Sequence, residues 1–320
     1  MGWWINRLQR LVEHGAGDGP VLLRVGGAGI TLLLVGGSAL AGWGLEQLVQ
    51  RSQTIGAGWS WMGWAVLTVG LASALAGRSL AQAVRAVVAE LPRDPASAEQ
   101  PNHLEAARRR LAWIVGRDTT RLSEAEILRA AAETASENAV DGQFAPLFWM
   151  LVGAGLWGIH AELPGPLALA WGFKAASTLD SMLGYRRGRL QWLGTAGARL
   201  DDLLVWLPCR LVAFSLPLVQ GGPIRWWPQV QASLRDGHPD PSPNAGVSQA
   251  AYAHAARVQL GGRNRYAGGW TEKPLLAVGQ PPADRAAVER ILALSTRLTL
   301  LWLAVSGFAV AGLRAWWGAQ

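Results

Sequence analysis

From Gly29 to Leu45 the chain carries no charged residue, and the apolar run continues past Glu46 to Val49. About 20 predominantly apolar residues let a helix cross the hydrocarbon of a bilayer, where every backbone polar group must be satisfied within the protein. Gly29–Val49 is therefore predicted to span a membrane, and the rest of the chain must be compatible with that. Trp59–Gly77 is a second apolar run that opens on tryptophans and ends at Arg78, the pattern of an interfacial belt and a basic stop. The short link at 50–58 makes the two an antiparallel hairpin. Phe144–Phe173 is apolar but broken by Glu162, Pro164 and Pro166, which leaves two short spans or a re-entrant hairpin open. Leu203–Val219 contains Arg210, Pro208 and Pro217 and reads as a kinked or partly embedded helix. Ile291–Trp317 is the last apolar helix, with Arg297 near its start and Arg314, Trp316 and Trp317 at its interfacial end.

The expected fold class is all-α: a polytopic integral membrane protein with about four to six membrane segments and two cytosolic polar segments. Residues 1–77 form an N-terminal amphipathic segment and the transmembrane hairpin, and 78–143 a cytosolic helical segment with an acidic motif. Residues 144–223 hold membrane segments with intervening polar motifs, 224–290 a cytosolic Gly/Pro-rich loop segment, and 291–320 the C-terminal transmembrane helix. Pro92, Pro95 and Pro101 break the second of these early. Later in it, Leu104, Ala107, Leu111, Ile114 and Val115 share one helical face. Ser123 followed by Glu126 is a capping-box pattern, opening a helix that should run to about Asn138 and stop near Gly142.

Half of the residues are hydrophobic and only 16% charged, which favours lipid as part of the solvent. The formal charge of +7 rests almost wholly on arginine, the only lysines being Lys174 and Lys273. Those arginines are dispersed among carboxylates with no aromatic-interleaved basic stripe, which argues against nucleic-acid binding. One cysteine, Cys209, excludes an intramolecular disulfide, and its apolar neighbours mark it as a small buried hydrophobe. The five histidines never fall at i,i+3 or i,i+4, so zinc chemistry is not indicated. Residues 1–18 lack the apolar core of a signal peptide. No G-x-x-x-x-G-K-[ST] string is present, which excludes a Walker-type nucleotide site.

Five constellations could carry chemistry. Glu133, Glu137 and Asp141 recur at i, i+4 and i+8 and run into the apolar Phe144–Phe148. Like charges at that spacing repel, so the stripe is relieved by arginine, with Arg129 the obvious candidate, or by a divalent cation, unless it is simply a solvated salt-bridged face. Arg117-Asp118-Thr119-Thr120 follows a helix end at Gly116 and reads equally as a cap with a loose ion pair. Lys174, Thr178, Asp180, Ser181 and Tyr185 follow an apolar segment. An ammonium beside hydroxyls and a carboxylate suits phosphate stabilisation, and a snorkelling interfacial lysine accounts for the same charge. Asp201 and Asp202 are adjacent acids before an apolar run, apt for Mg²⁺ or for a helix N-terminus. Finally, Pro239–Gly246, with Ser242 and an N-capping Asn244, and the Gly-rich loop Leu260–Gly268, with Arg263, Arg265 and Tyr266, could cradle an anion or merely connect elements.

In this order the five segments resemble the CobD/CbiB family, the membrane-bound adenosylcobinamide-phosphate synthases of cobalamin biosynthesis. The resemblance runs from about Arg78 to Trp270. It is carried by IVGRDT at Ile114–Thr119, the acidic series ending in APLF at Glu133–Phe148, KA..TLDSM.GY at Lys174–Tyr185, ARLDDLL...LP.R at Ala198–Arg210, SPNAG at Ser242–Gly246 and LGG.NRY at Leu260–Tyr266. It implies an enzyme, an ATP- and Mg²⁺-dependent ligase that joins adenosylcobyric acid, its corrinoid substrate, to aminopropanol phosphate or ethanolamine phosphate. On that resemblance Glu133, Glu137, Asp141, Lys174 and Asp180 are catalytic. Glu137, Asp141, Asp201 and Asp202 hold metal. Arg117, Asp118, Thr119, Asn138, Thr178, Ser181 and Tyr185 bind substrate or ATP, as do Ser242, Asn244, Arg265 and Tyr266. The chain departs from the family pattern at Ser177 and Val205, where asparagine is usual, and at His254, where glycine is. A multi-pass protein of the cell inner membrane follows, with a cytosolic active face, the bilayer as partner, contact with other late cobalamin-pathway enzymes and no nucleic acid. Oligomeric state stays open. The alternative of another class is a non-catalytic membrane sensor like the family's distant relative in β-lactamase induction, and a transporter would need its ionisable residues inside the spans.

Overall fold

Residues 2–16 are amphipathic and form α1 (Gly2–Ala16), with Ile5 buried and Trp3 and Trp4 exposed. In this computed structural model the described residues are 1–52, 57–92, 103–221, 226–266 and 269–317. Pro95, Pro101, Ala267 and Gly268 lie outside them, as do the side chains of Arg314, Trp316 and Trp317. Contacts divide the chain into two units, Met1–Ala76 with Asp141–Leu207, and Gly77–Val140 with Pro208–Gln320.

The first unit is helix on helix. The uncharged run lies inside α2 (Pro20–Ser52), which starts earlier than the hydropathy alone indicated because Pro20 is pre-organised for a first helical turn. It is followed by α3 (Ala57–Ala74), and after residue 141 by α7 (Ala145–Ile159), α8 (Pro166–Leu183), the single turn α9 (Leu190–Leu193) and the start of α10 (Thr195–Gln220). Phe144–Phe173, left open above, is thus a pair of helices joined at 160–165. Helix α2 lies along α8, and small residues let them close: a Cβ added to Gly42 would fall 2.8 Å from Ala168 Cα. Ile5, Leu23, Ile30, Leu179, Leu183 and Leu193 form the core at one end, and Val49, Leu67 and Leu167 at the other. Glu46, fully buried, takes the N–H groups of Gly165 (2.8 Å), Leu167 and Ala168 (3.3 Å). Those are orphan donors of the α8 N-terminus, so a carboxylate on α2 serves as that helix's cap.

The second unit is built around α6 (Glu124–Ala139). The capping box is present as expected, Ser123 Oγ accepting the Glu126 N–H and Glu126 the Ser123 N–H. Ala130, Ala131, Ala132, Ala135 and Ala139 are buried, and their small size lets neighbours close in on several sides. Those neighbours include α4 (Gly77–Ala89), α5 (Glu105–Ala112), α12 (Ala245–Ala256) and α13 (Arg285–Trp317), with α11 (Trp226–Gly237) against α12. The helix does not stop near Gly142. A π-helical turn, Val140–Phe144, follows it, and the Gly142 carbonyl takes the Ala76 N–H at 2.7 Å. A turn of that width frees carbonyls from the ordinary ladder.

Within Leu260–Gly268, expected as a loop, residues 260–266 form the first strand of an antiparallel hairpin, β1 (Leu260–Tyr266) and β2 (Gly269–Leu276), with Gly262 opposite Lys273 and Arg265 opposite Trp270. Its glycines mark a bulge. Gly261 and Gly262 hold φ of +85° and +90° at a register shift between Leu260 and Gly262, a geometry that strand residues with a Cβ resist.

Among the described residues four helices are long and apolar enough to cross a membrane: Pro20–Ser52, Glu124–Ile159, Thr195–Gln220 and Arg285–Phe308. Trp59–Ala74 with Gly77–Ala89 makes a fifth if the pair counts as one broken span. The mostly helical, multi-pass expectation holds. Within α10, Pro208 cannot donate to the Leu204 carbonyl, and Trp149 Nε1 takes that acceptor at 3.1 Å.

Candidate active site

In the second unit, motif segments far apart in sequence are bonded to one another. Glu133, 1% exposed, is the centre of the first group. One of its oxygens accepts from Arg117 Nη2 and the other from the Gly261 N–H at 2.9 Å. Arg117 also donates to Asn264 Oδ1 at 2.7 Å. Arg129, expected to relieve the acidic stripe, instead donates to the carbonyls of Gly261 and Arg263 (2.8 Å) and to Asn264 Oδ1 (3.1 Å). The bulge makes this possible, since it turns both the N–H and the C=O of Gly261 toward α6. Asp118 donates its N–H to the Arg265 carbonyl at 2.8 Å, and its carboxylate lies 3.5 Å from Arg265 Nε. Bonds from the Thr120 hydroxyl and N–H, aided by Arg265 and Arg121, hold the Asp118 carboxyl below its ordinary range. Thr119 beside it is buried.

One turn along α6, Glu137 accepts from Gln249 Nε2 of α12 at 2.7 Å and interacts with the charge of Lys273. The Lys273 ammonium is 3.2 Å from Asp240 and its side chain 21% exposed. Burial alone would lower the Lys273 pKa, but Glu137, Asp240 and Tyr266 outweigh it and hold it above the usual value. Asp240 also accepts the Ser242 N–H (2.9 Å), and Ser242 Oγ accepts those of Asn244 (3.3 Å) and Ala245 (3.1 Å). Asn244 holds the N-cap position of α12, as expected, but its side chain makes no capping bond there, and the Ser242 hydroxyl serves the N–H groups instead. The Asn244 side chain at the N-cap position accepts from Arg210 Nη1 at 2.7 Å, which satisfies an arginine set in an apolar helix. Asn138 donates back to the Thr134 carbonyl at 3.1 Å. His254, one of the departures from the family pattern, bonds Asp236 at 2.8 Å.

The first unit has its own polar group. Asp201 of α10 interacts electrostatically with Asp180, Asp202 and Lys174. Its Oδ1 is buried and, among the described residues, has no hydrogen-bond partner. Thr178 and Ser181 turn their hydroxyls back to the carbonyls of Lys174 (2.7 Å) and Ser177 (2.8 Å). Tyr185 is exposed, with the Arg187 guanidinium 4.9 Å from its ring centre. Asp141 lies in the π-helical turn. Val205, the second departure, is a buried core residue.

Among the described residues no group of three or more His, Cys, Asp or Glu side chains is placed to hold a metal ion. Mg²⁺ commonly takes only one or two carboxylates and fills its shell with waters and substrate phosphates. Asp201, with an unpaired buried oxygen, fits that requirement. Glu137, bonded to an amide and interacting with an ammonium, fits it poorly.

Sequence reasoning passed over Lys273, Asp240, Gln249 and Asn264. Lys273 carried a signal, being one of two lysines among 29 basic residues. Asn264 stood inside the LGG.NRY string without being singled out, and Gln249 carried no signal, because an amide gains meaning only from the carboxylate or guanidinium opposite.

Several long apolar helices, joined within each unit by buried polar contacts, define a multi-pass membrane protein. The family model described as CobD/Cbib protein matches residues 1–295. Cobalamin biosynthesis protein CobD of Synechocystis is 46% identical over 242 residues, 76% of this chain and 66% of that one. Cobalamin biosynthesis protein CbiB of Salmonella choleraesuis is 36% identical over 315 residues, 97% of this chain and 90% of the relative, and CobD of Klebsiella pneumoniae 36% over 324 residues, 98% and 90%. The chain belongs to the CobD/CbiB family of cobalamin biosynthesis proteins. No solved structure matches it.

Proposed function

We propose that this protein is an acid–amine ligase that joins the propionate carboxylate of adenosylcobyric acid to the amine of aminopropanol phosphate or ethanolamine phosphate, using ATP and Mg²⁺. The observation that carries the reading is the bonding of IVGRDT, the acidic series, SPNAG and LGG.NRY into the networks of one unit.

Amide formation needs the carboxylate oxygen made into a leaving group. Transfer of the ATP γ-phosphoryl to that oxygen releases ADP, and attack by the amine nitrogen then expels phosphate while a base takes the amine proton. The Lys273 ammonium and the Arg265 guanidinium are the cations assigned to phosphate, and Glu137 is the proton acceptor. Arg117 and Glu133 are positioning residues, since each spends its polar atoms on the other and on β1. Lys174 with Asp180 forms the polar set of the other unit, and Asp201, with Asp202 adjacent, would hold Mg²⁺ there. The metal, when bound, supplies charge neutralisation on phosphate oxygens. We assign the water-facing segments to the cytosol, where ATP is available, on the excess of arginine near the spans.

The test is a membrane-fraction assay with adenosylcobyric acid, aminopropanol phosphate, ATP and Mg²⁺. Amide product and ADP in equal amounts are expected. Absence of both from correctly inserted protein overturns the reaction, and full activity in Glu137→Gln overturns the assignment of the base.

A further inference from the structure

Outside the networks above, the second unit contains a cavity of about 640 Å³, within the size range of small-molecule sites. Its wall includes Arg257, Arg290 and Arg297, with Gln220, Gln280 and Leu294. Among the described residues no Asp or Glu lines it. None of its lining residues takes part in the proposed ligase chemistry.

The three guanidiniums are poorly neutralised. Arg290 uses Nε on the Ala256 carbonyl at 3.1 Å and has only a distant carboxylate, Asp284, at 3.9 Å. Among the described residues the side chains of Arg257 and Arg297 have neither a hydrogen bond nor an ion pair. Arg257 holds the left-handed conformation, φ 53°, at the C-terminus of α12, a backbone state uncommon for residues other than glycine. The three arginines are exposed and share one wall without a carboxylate, and an oxyanion able to take forked N–H pairs would neutralise them. The cavity also touches two apolar helices: Gln220 is the last residue of the Thr195–Gln220 span, and Leu294 and Arg297 lie in the Arg285–Phe308 span. Basic pockets between membrane helices are where phosphate headgroups dock.

We propose that this cavity binds a phosphate-bearing anion. Two sources share that chemistry, the headgroup of an anionic phospholipid and a free phosphate. The full chain, purified in detergent and stripped of lipid, is titrated in one arm with phosphatidylglycerol against phosphatidylcholine, read by native mass spectrometry. In the other arm inorganic phosphate is titrated and thermal unfolding is followed. Saturable 1:1 binding is expected in at least one arm, with phosphatidylcholine silent, and it should weaken roughly fivefold for each arginine removed in Arg257→Gln and Arg297→Gln. The double Arg→Lys variant, which keeps the charge but not the fork, should bind more weakly than wild type and more tightly than the double Gln variant, and so separates loss of charge from loss of fold. Saturation by phosphatidylglycerol alone assigns the site to lipid, and saturation by phosphate assigns it to a free anion. Equal binding by wild type and the double Gln variant in both arms overturns the proposal.

Discussion

Each unit buries a glutamate, and the two are satisfied by opposite means. Glu46 in the first unit is held by backbone alone, three N–H groups at the start of α8. Glu133 in the second is held by one backbone N–H and by the side chain of Arg117. The first arrangement joins two helices, and any acceptor of the right length could do it. The second joins a loop, a helix and a strand through a charge pair, so the loss of either partner strands the other in a low-dielectric interior. In the helical unit the carboxylate ties one helix start to another helix, whereas in the other unit a bulged hairpin is tied to its helix through a side-chain network.

Mutations can break this contrast. Glu133→Ala leaves Arg117 buried without its carboxylate and should cost about 3–5 kcal/mol, measured by denaturant unfolding in micelles. The double variant Arg117→Met with Glu133→Leu should cost less than that single change; an equal or larger loss would mean that shape, not charge, is what the pair supplies. Glu46→Ala uncovers backbone donors and should cost about 1–3 kcal/mol, with Glu46→Gln intermediate. Ser123→Ala removes half of the capping box and should cost about 1 kcal/mol. Arg85→Gln breaks an ion pair whose side chains are 55% and 48% exposed, and a shift above about 1 kcal/mol would contradict the rule that such pairs contribute little.

The last effect is a pH dependence confined to the alkaline range. Lys273 has a folded pKa above its ordinary 10.5, so its contribution to stability is complete below the unfolded value and lost as pH rises through the folded one. Stability should fall at alkaline pH, and less steeply in Lys273→Met. An identical alkaline limb in both proteins would mean that the ammonium is not held by Glu137 and Asp240.

Features whose partners lie close in sequence were legible. The Ser123–Glu126 cap spans four residues, and the apolar run inside α2 declares itself by length. Features that depend on distant partners were not. Glu46 reads as the charge that ends a span until residues 165–168 are placed beside it. The acidic stripe was correctly seen as needing relief, but the arginine came from Ile114–Thr119 and not from the preceding turn, because Arg129 is drawn to the carbonyls exposed by the β1 bulge. That bulge hid the hairpin as well, since paired glycines signal a loop unless their φ values are known.

The buried carboxylate of α2 also imposes an order of events on biogenesis. Glu46 is synthesised 119 residues ahead of the first N–H that will bind it. At ordinary translation rates that is a wait of roughly 6–24 s. Throughout it the carboxylate must stay in contact with water or headgroups, since a bare charge in hydrocarbon is expensive. The nascent α2 is therefore expected to keep its C-terminal end at the bilayer surface until α8 arrives to bind the carboxylate.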